Sequence, residues 1–392
     1  MTAIEILAGI LAALVLVPAA IVFVQVALAF LPAVAHQPPC RRRPSVAVLV
    51  PAHDEAGGIS ATLHSILPQL AEGDHLWVVA DNCSDATAEI AAGSGARVIE
   101  RIDPGRRGKG YALDFGIRRL AAAPPEVVIV VDADCLVEPE TIDRLACRCE
   151  ESARPVQSLY LMHAPPGASL KMRLAEFAWA VKNRVRPLGS RWLGLPCHLM
   201  GTGMAFPWAL IRDAQLAHAE LVEDMKLGID LAIAGHPPVF CPEARVTSRF
   251  PESGHAVSAQ RKRWEHGHIG MILEEFPRLL LRSLSRRDIR LLGMALDLAV
   301  PPLSLLAMMM AAAFVLAFAL FLVGSSASML ALVSIALGLL VLAVLMAWHG
   351  WGRSILSLGG LFSIPFYVLA KLPIYLKFWT RRQKEWVRTE RK

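Results

Sequence analysis

Asp132 and Asp134 are separated only by Ala133 and follow directly on Val127–Val131, a β-branched run with no polar member. A run of this kind reads as a central parallel strand buried on both faces. In an extended chain residues i and i+2 point to one side. The two carboxylates are therefore expected to face one ligand at the carboxyl end of the strand, where open α/β sheets bind their ligands. Two hard oxygen donors at that spacing suit Mg2+ or Mn2+ bridging a substrate diphosphate. The competing reading of an isolated acidic pair is a solvated loop.

Further groups able to do chemistry are spread along the chain. Asp54 and Glu55 end the stretch Pro51-Ala-His-Asp-Glu55. They either accept from a ribose hydroxyl or a base, or are acids favoured by the dipole of the next helix. Asp81 leaves a second apolar run, in position to bind a base or ribose, while Ser84 and Asp85 cap the next helix. Arg107 and Lys109 lie among glycines in Arg106-Arg-Gly-Lys-Gly110. That is an anion site at a helix N-terminus or a solvated basic turn. Glu223 and Asp224 open a helix, either to take a proton from an attacking hydroxyl or to cap it. In Gln260-Arg-Lys-Arg263-Trp264 a guanidinium suited to a diphosphate stands beside an indole able to pack on an acceptor or donate its ring N–H. No G-x-G-x-x-G run and no P-loop lysine is present, which removes dinucleotide and P-loop chemistry.

The elements needed to position these groups alternate. Strands are expected at Val46–Val50, Leu76–Ala80, Arg97–Ile99 and Val127–Val131, with helices ending near Leu70 and over Ser84–Ala92 and Lys109–Leu120. This βαβα order argues a parallel, doubly wound sheet. Beyond Pro155 the pattern is mixed, with strands at Ser158–Met162 and Val239–Phe240 and helices at Leu170–Val185 and Asp224–Ala234.

Around this core the composition is that of a membrane protein. Of 392 residues 55% are hydrophobic and only 19% charged, and mean hydropathy is +0.45. A soluble enzyme rarely has this balance. Net charge is +6, assigned to the cytoplasmic face and anionic lipid rather than to nucleic acid. The seven cysteines are scattered and are expected as reduced thiols, neither a disulfide frame nor a zinc site. Ile6–Phe30 is long enough to span, and Arg41, Arg42 and Arg43 after it place the next domain in the cytoplasm. Residues 260–290 form a basic helix with an apolar side, expected in the membrane interface and broken at Pro277. Met294–Val323 and Met329–Trp348 form a spanning hairpin that turns at Gly324–Ser328. Ile355–Phe378 is interrupted by Gly359, Gly360, Pro365, Lys371 and Pro373. It reads as interfacial or re-entrant, with the basic tail cytoplasmic.

The ordered set P-A-H-D-E, D-N-C-S-D, R-G-K-G, D-A-D, G-T-G, E-D and Q-R-K-R-W resembles the membrane-bound family 2 glycosyltransferases, relatives of the cellulose, chitin and hyaluronan synthases, over about Arg43 to Gly270. The resemblance implies an α/β fold of the GT-A type, Rossmann-like with a mostly parallel sheet, flanked by N- and C-terminal transmembrane helices. It implies that Asp54 or Glu55 and Asp81 hold the nucleoside, with Lys109 on the donor side. Asp132 and Asp134 hold the donor and the metal, and Asp224 is the base, beside Glu223. Gln260, Arg263 and Trp264 close over the diphosphate and acceptor, and Gly201, Thr202 and Gly203 form an acceptor-side loop. Cys83 departs from the glycine or serine usual there, and the synthases have more spanning helices.

The expected function is inverting, Mg2+- or Mn2+-dependent transfer of a sugar from a nucleotide sugar, foremost a UDP-sugar. The expected acceptor is lipid-linked or a glycan, at the cytoplasmic side of a bacterial-type inner membrane. The alternatives are a processive synthase coupled to an export partner, with an oligomer as one form of it, and a membrane-tethered nucleotidyltransferase. The division expected is an anchor (1–40), a catalytic domain (41–258), the Q-x-x-R-W motif with basic interfacial helices (259–290), a transmembrane hairpin (291–350), and the re-entrant segment with its tail (351–392).

Overall fold

The computed structural model describes residues 3–32, 40, 42–217, 222–251, 254–324 and 327–380, without the side chains of 3–8, 254–259 and 379–380. The expectations at Arg41, at the centre of the 324–328 turn and for the tail beyond 380 lie outside the described residues. The chain divides into two compact units: a sheet unit within 34–165 and 196–260, and a helical unit within 1–33, 166–195 and 261–383.

In the sheet unit β1 (Val46–Ala52), β2 (His75–Asp81), β3 (Arg97–Arg101), β4 (Val127–Val130), β5 (Leu136–Val137), β6 (Val156–His163), β7 (Met204–Pro207) and β8 (Val239–Arg249) form one sheet. The strand order is β3-β2-β1-β4-β7-β6-β8-β5. The first four strands in that order are parallel, as are β6 and β8. β7 runs antiparallel to β4 and β6, and β5 antiparallel to β8. The sheet is thus mostly parallel, as expected from the βα alternation. The two antiparallel strands have only four and two residues, too few for a periodic signal. β4 is buried at every position and pairs with β1 from Val46↔Val127 to Leu49↔Val130. The helix Lys109–Leu120 lies on these strands through Gly116, where a Cβ would come 2.7 Å from a Leu49 methyl.

Cys40 and Cys147 form a disulfide with Cα atoms 5.4 Å apart, correcting the expectation of free thiols throughout. They are 107 residues apart in sequence, and spacing cannot show a pairing that tertiary neighbours decide. Cys149, two residues on in the helix Thr141–Ser152, points the other way and is buried.

In the helical unit the helix Ala3–Ala29 buries Ala12, Val15, Ala19, Val22 and Val26, an i, i+3/i+4 stripe. Met310, Ala313 and Ala317 from Leu303–Leu322, and Val333, Ala336, Leu340 and Ala343 from Ala327–Ala347, join the same core. Small residues along these faces let the helices approach closely. Gly9–Ala29, Leu303–Leu322, Ala327–Gly352 and Leu358–Phe378 are each long and apolar enough to cross a membrane. Inside this unit Gln25 donates to Ser190 Oγ (3.0 Å) and Asp297 Oδ1 (2.6 Å). Arg186 donates to Gln25 Oε1 (2.8 Å) and Asp297 Oδ1 (2.7 Å).

Several boundaries differ from expectation, among them β8, which runs on from Phe240 to Arg249. The helix Gly254–Arg286 runs through Pro277. The carbonyl that loses its donor belongs to Leu273, and both Leu273 and Pro277 are exposed residues. The apolar run Met294–Val323 is two helices, Ile289–Leu298 and Leu303–Leu322, parted at Pro301 and Pro302. Pro302 has no N–H, and it drives its predecessor out of helical geometry. The stretch 358–378 is three short helices, Leu358–Leu361, Ile364–Leu369 and Leu372–Thr380.

Candidate active site

β4 ends at Val130, and Asp132-Ala133-Asp134 occupies a turn in which the Cys135 N–H donates to Asp132 O at 3.1 Å. The pleat is therefore not what brings the two carboxylates together; the turn is. It is held from two sides: Thr62 Oγ1 donates to Ala133 O (2.8 Å), and the Asp132 N–H donates to Thr202 Oγ1 (3.0 Å). Asp132, Asp134 and Cys135 each offer a ligand atom within 4.8 Å of the others. Burial pushes the Cys135 thiol well up, with the Asp132 charge adding to it. Cys135 is fully buried, whereas Asp132 and Asp134 are part-exposed. The usable donors are carboxylate oxygens, a set that fits Mg2+ or Mn2+ rather than zinc.

Lys109 is the first residue of its helix, after Gly108 at φ 132°, a backbone geometry open to glycine. Its ammonium pairs with Asp132 and donates to Gly201 O at 2.6 Å. Burial alone would lower its pKa, but Asp132, Glu223 and Asp224 together outweigh that and raise it. So the lysine expected at an anion cradle is engaged by carboxylates and by the Gly201 carbonyl. Arg107, its neighbour in the motif, is exposed.

The loop 201–203 lies against the same place. Gly201 has φ 91°, and a Cβ there would stand 3.5 Å from Asp224 Oδ2 and 3.8 Å from Lys109 Nζ. Gly203 has φ 62°, and a Cβ there would fall 1.9 Å from Ser158 Oγ. The Gln157 amide fixes the loop between them, donating to Thr202 O (2.9 Å) and accepting from the Met200 N–H (2.8 Å). Asp224 is the second residue of the helix Glu223–Ile233. With Glu223, Lys109, Leu113, Met204 and Leu216 it lines a pocket.

A second group of acids stands at the ends of β1 and β2. Asp54 has φ 52°, and its carboxylate accepts from the Ser84 N–H (2.6 Å) and hydroxyl (3.1 Å). Glu55 is anchored through its N–H to Thr87 Oγ1 (2.8 Å). Asp85 accepts from the Thr87 N–H (3.0 Å), but the helix Thr87–Gly93 starts after Ala86 with no side-chain cap and Ser84 turns to Asp54, so the capping expected of Ser84 and Asp85 is corrected. Asp81 is 6% exposed and accepts from Arg101 Nη1 (2.5 Å) and Asn82 Nδ2 (3.0 Å). Arg101 was not singled out from the sequence. The signal for it is register: Asp81 and Arg101 are direct partners across β2 and β3.

Gln260, Arg263 and Trp264 all lie in the first turns of the helix Gly254–Arg286. Gln260 is buried and falls within the sheet unit, whereas Arg263 and Trp264 fall within the helical unit, where Trp264 packs on Trp179 with ring centroids 4.8 Å apart. In the sheet unit Asp132, Lys109, Gly201 and the Glu223–Asp224 pair are thus gathered around one ammonium. Such a cluster can hold a cation and accept a proton close by.

Residues 44–267 match the family described as Glycosyltransferase like family 2. The chain is 26% identical over 247 residues to the probable glycosyltransferase YdaM of Bacillus subtilis, covering 59% of this chain and 57% of that protein. It is 34% identical over 104 residues to the low-salt glycan biosynthesis hexosyltransferase Agl6 of Haloferax volcanii, 26% of this chain and 24% of that one. The chain therefore spans between a quarter and three fifths of the length of these curated relatives. Among solved structures it superposes on the mannosyltransferase PcManGT of Pyrobaculum calidifontis, solved in complex with GDP-Man and Mn2+. The TM-score is 0.56 at 19% identity, over 97% of this chain and 99% of that one. That likeness shows a shared fold.

Proposed function

The chain belongs to the glycosyltransferase-like family 2, and from that premise we propose that it is an inverting, metal-dependent glycosyltransferase that moves a sugar from a nucleotide sugar to a lipid-linked or glycan acceptor at a membrane. The observation that supports it best is the meeting of Asp132, Lys109, Gly201 and Asp224 in one unit. A turn able to hold a metal and a carboxylate able to act as base stand beside one lysine ammonium.

In this reading Asp224 takes the proton of the acceptor hydroxyl as its oxygen bonds to the anomeric carbon and the bond from that carbon to the diphosphate breaks. Inversion results from this single displacement. Asp132 and Asp134 would hold a divalent metal, which would supply charge neutralisation at the diphosphate. Arg263 adds to it, and Gln260 and Trp264 close over diphosphate and acceptor. Asp54, Glu55 and Asp81 serve the nucleoside, the buried Arg101 holding Asp81 in place. The donor is a nucleotide sugar, with a UDP-sugar expected first. Lys109 keeps Asp132 and the 201–203 loop in register, and Gly201–Gly203 with Glu223 shape the acceptor side.

Of the four segments apolar enough to cross, the first three span in this reading, which makes the protein multi-pass. Arg42 and Arg43 follow the first apolar segment in sequence and the arginines of 278–290 precede the next, and by the positive-inside bias this assigns the intervening catalytic domain to the cytoplasm of a bacterial-type inner membrane. The segment 358–378, broken into three short helices, is re-entrant or interfacial. The test is nucleoside diphosphate release by the purified full chain from a panel of UDP- and GDP-sugars, with Mg2+, Mn2+ or chelator. Release that a chelator abolishes and metal restores is expected. No release from any donor, or full release in chelator, rejects the proposal.

A further inference from the structure

The helix that carries Arg263 and Trp264 is gripped along another side by a stretch about a hundred residues on in sequence. Lys371 lies in the apolar segment 358–378, where a lone charge is costly. Its ammonium donates to Glu265 Oε1 at 2.6 Å, with both side chains 10% exposed. The same ammonium stands 5.0 Å from the Tyr367 ring, and Arg261 stands 5.5 Å from that ring. His266 donates its Nε2–H to Ile374 O (2.9 Å) and meets Phe378 edge-on at 5.4 Å. At about 100° per residue, Arg261, Glu265 and His266 point away from the side of the helix shared by Gln260, Arg263 and Trp264. One face carries the motif and the other is clamped.

We propose that Lys371 is a positioning residue of the transfer reaction: through Glu265 it makes the 364–380 segment a brace that sets the rotation and height of the motif helix. This rests on the role given above to Arg263 and Trp264. Apolar and ring contacts tolerate sliding, because one ring face is much like another. A buried ion pair does not, because leaving one charge behind unpaired is strongly unfavourable. A pair that served only to neutralise Lys371 could sit anywhere along the bundle. This one is attached to the residue next to Trp264 and is flanked by two further contacts from the same segment. A motif that must close over a diphosphate gains from such a brace, since a displacement of about 1 Å can cost on the order of 100-fold in rate.

The experiment uses the full chain in lipid nanodiscs with Mn2+ and the nucleotide sugar on which the parent is active. Lys371→Met and Glu265→Gln are each expected to lower kcat about 10- to 100-fold and to speed amide hydrogen exchange over 261–268. The double variant is expected to be no worse than either single one, and Lys371→Arg to recover most of the rate. Should Lys371→Met not accumulate as folded protein, Lys371→Gln, which keeps a donor for Glu265, carries the same test. Parent-like kcat and exchange in the single variants overturn the proposal. So do losses that add in the double variant, or a lowered melting temperature with kcat unchanged. If the parent releases no nucleoside diphosphate from any donor, the glycosyltransferase reading fails. The brace is then still decided by exchange over 261–268 in Lys371→Met against the parent.

Discussion

The two units share an apolar core but differ in what they expose. The sheet unit encloses β-branched and aliphatic side chains, with Val48, Leu49, Val128 and Ile129 at 0% exposure, and keeps its acids at the ends of the strands. In the helical unit Val315, Leu322 and Phe362 are 67%, 68% and 76% exposed, while Gln25, Arg186, Ser190, Glu265 and Lys371 are buried. The first arrangement suits a protein whose outside is water, the second one whose outside is hydrocarbon, where polar groups must find partners within the bundle. The difference also divides the work of charge. In the sheet unit Asp132 and Asp134 lie part-exposed beyond the end of β4. In the helical unit the buried charges Arg186, Glu265 and Lys371 are paired within the unit.

If that division holds, removing a charge should strike chemistry in one unit and folding in the other. The largest effect is expected at Asp224. Asp224→Asn keeps shape but cannot take the proton, so kcat should fall on the order of 10²–10⁴. Nucleotide affinity and melting temperature should stay near the parent values. Calorimetric titration with UDP or GDP beside an initial-rate assay decides it; a variant that transfers sugar normally places the base elsewhere. Arg186→Leu should do the converse. It leaves Asp297 and Gln25 without the guanidinium that joins them, at a cost of about 3 kcal/mol. That cost should be read as loss of thermal stability in detergent, with turnover per folded molecule preserved. Equal stability to the parent would break the comparison.

Asp134→Asn sharpens it further. It should weaken Mn2+-dependent nucleotide binding by at least about tenfold while leaving the metal-free melting temperature unchanged. The smallest effect separates the two kinds of apolar residue. Val128→Ala, inside β4, should cost about 1.5–3 kcal/mol. Val315→Ala, on the outer face of its helix, should stay within about 0.5 kcal/mol. Matched chemical unfolding of both variants in the same lipid measures the contrast; similar losses would show that Val315 faces protein.

Much of this was legible in the sequence, for reasons of range. The parallel strands β1 to β4, the helix Lys109–Leu120 and the apolar helices are determined by local periodicity and by solvent, both written in consecutive residues. The family resemblance stood on motif order, which needs no coordinates. Antiparallel β7 and β5 escaped because so few residues carry no period. The i, i+2 argument for Asp132 and Asp134 brought the right residues together by the wrong geometry, since the chain leaves β4 before reaching them and turns instead. Pro277 predicts a break, yet the helix Gly254–Arg286 continues through it, on an exposed side.

What only the tertiary structure decided is how groups far apart in sequence meet. The Cys40–Cys147 bridge, Arg101 on Asp81, Lys109 between Asp132 and Gly201, and Lys371 on Glu265 each join residues 20 to 107 positions apart. Residue types announced that these side chains needed partners. Strand register, helix packing and loop path chose which ones, because a charge or thiol is satisfied by whatever the fold brings within about 3–4 Å of it, and that choice has no signature in neighbouring residues.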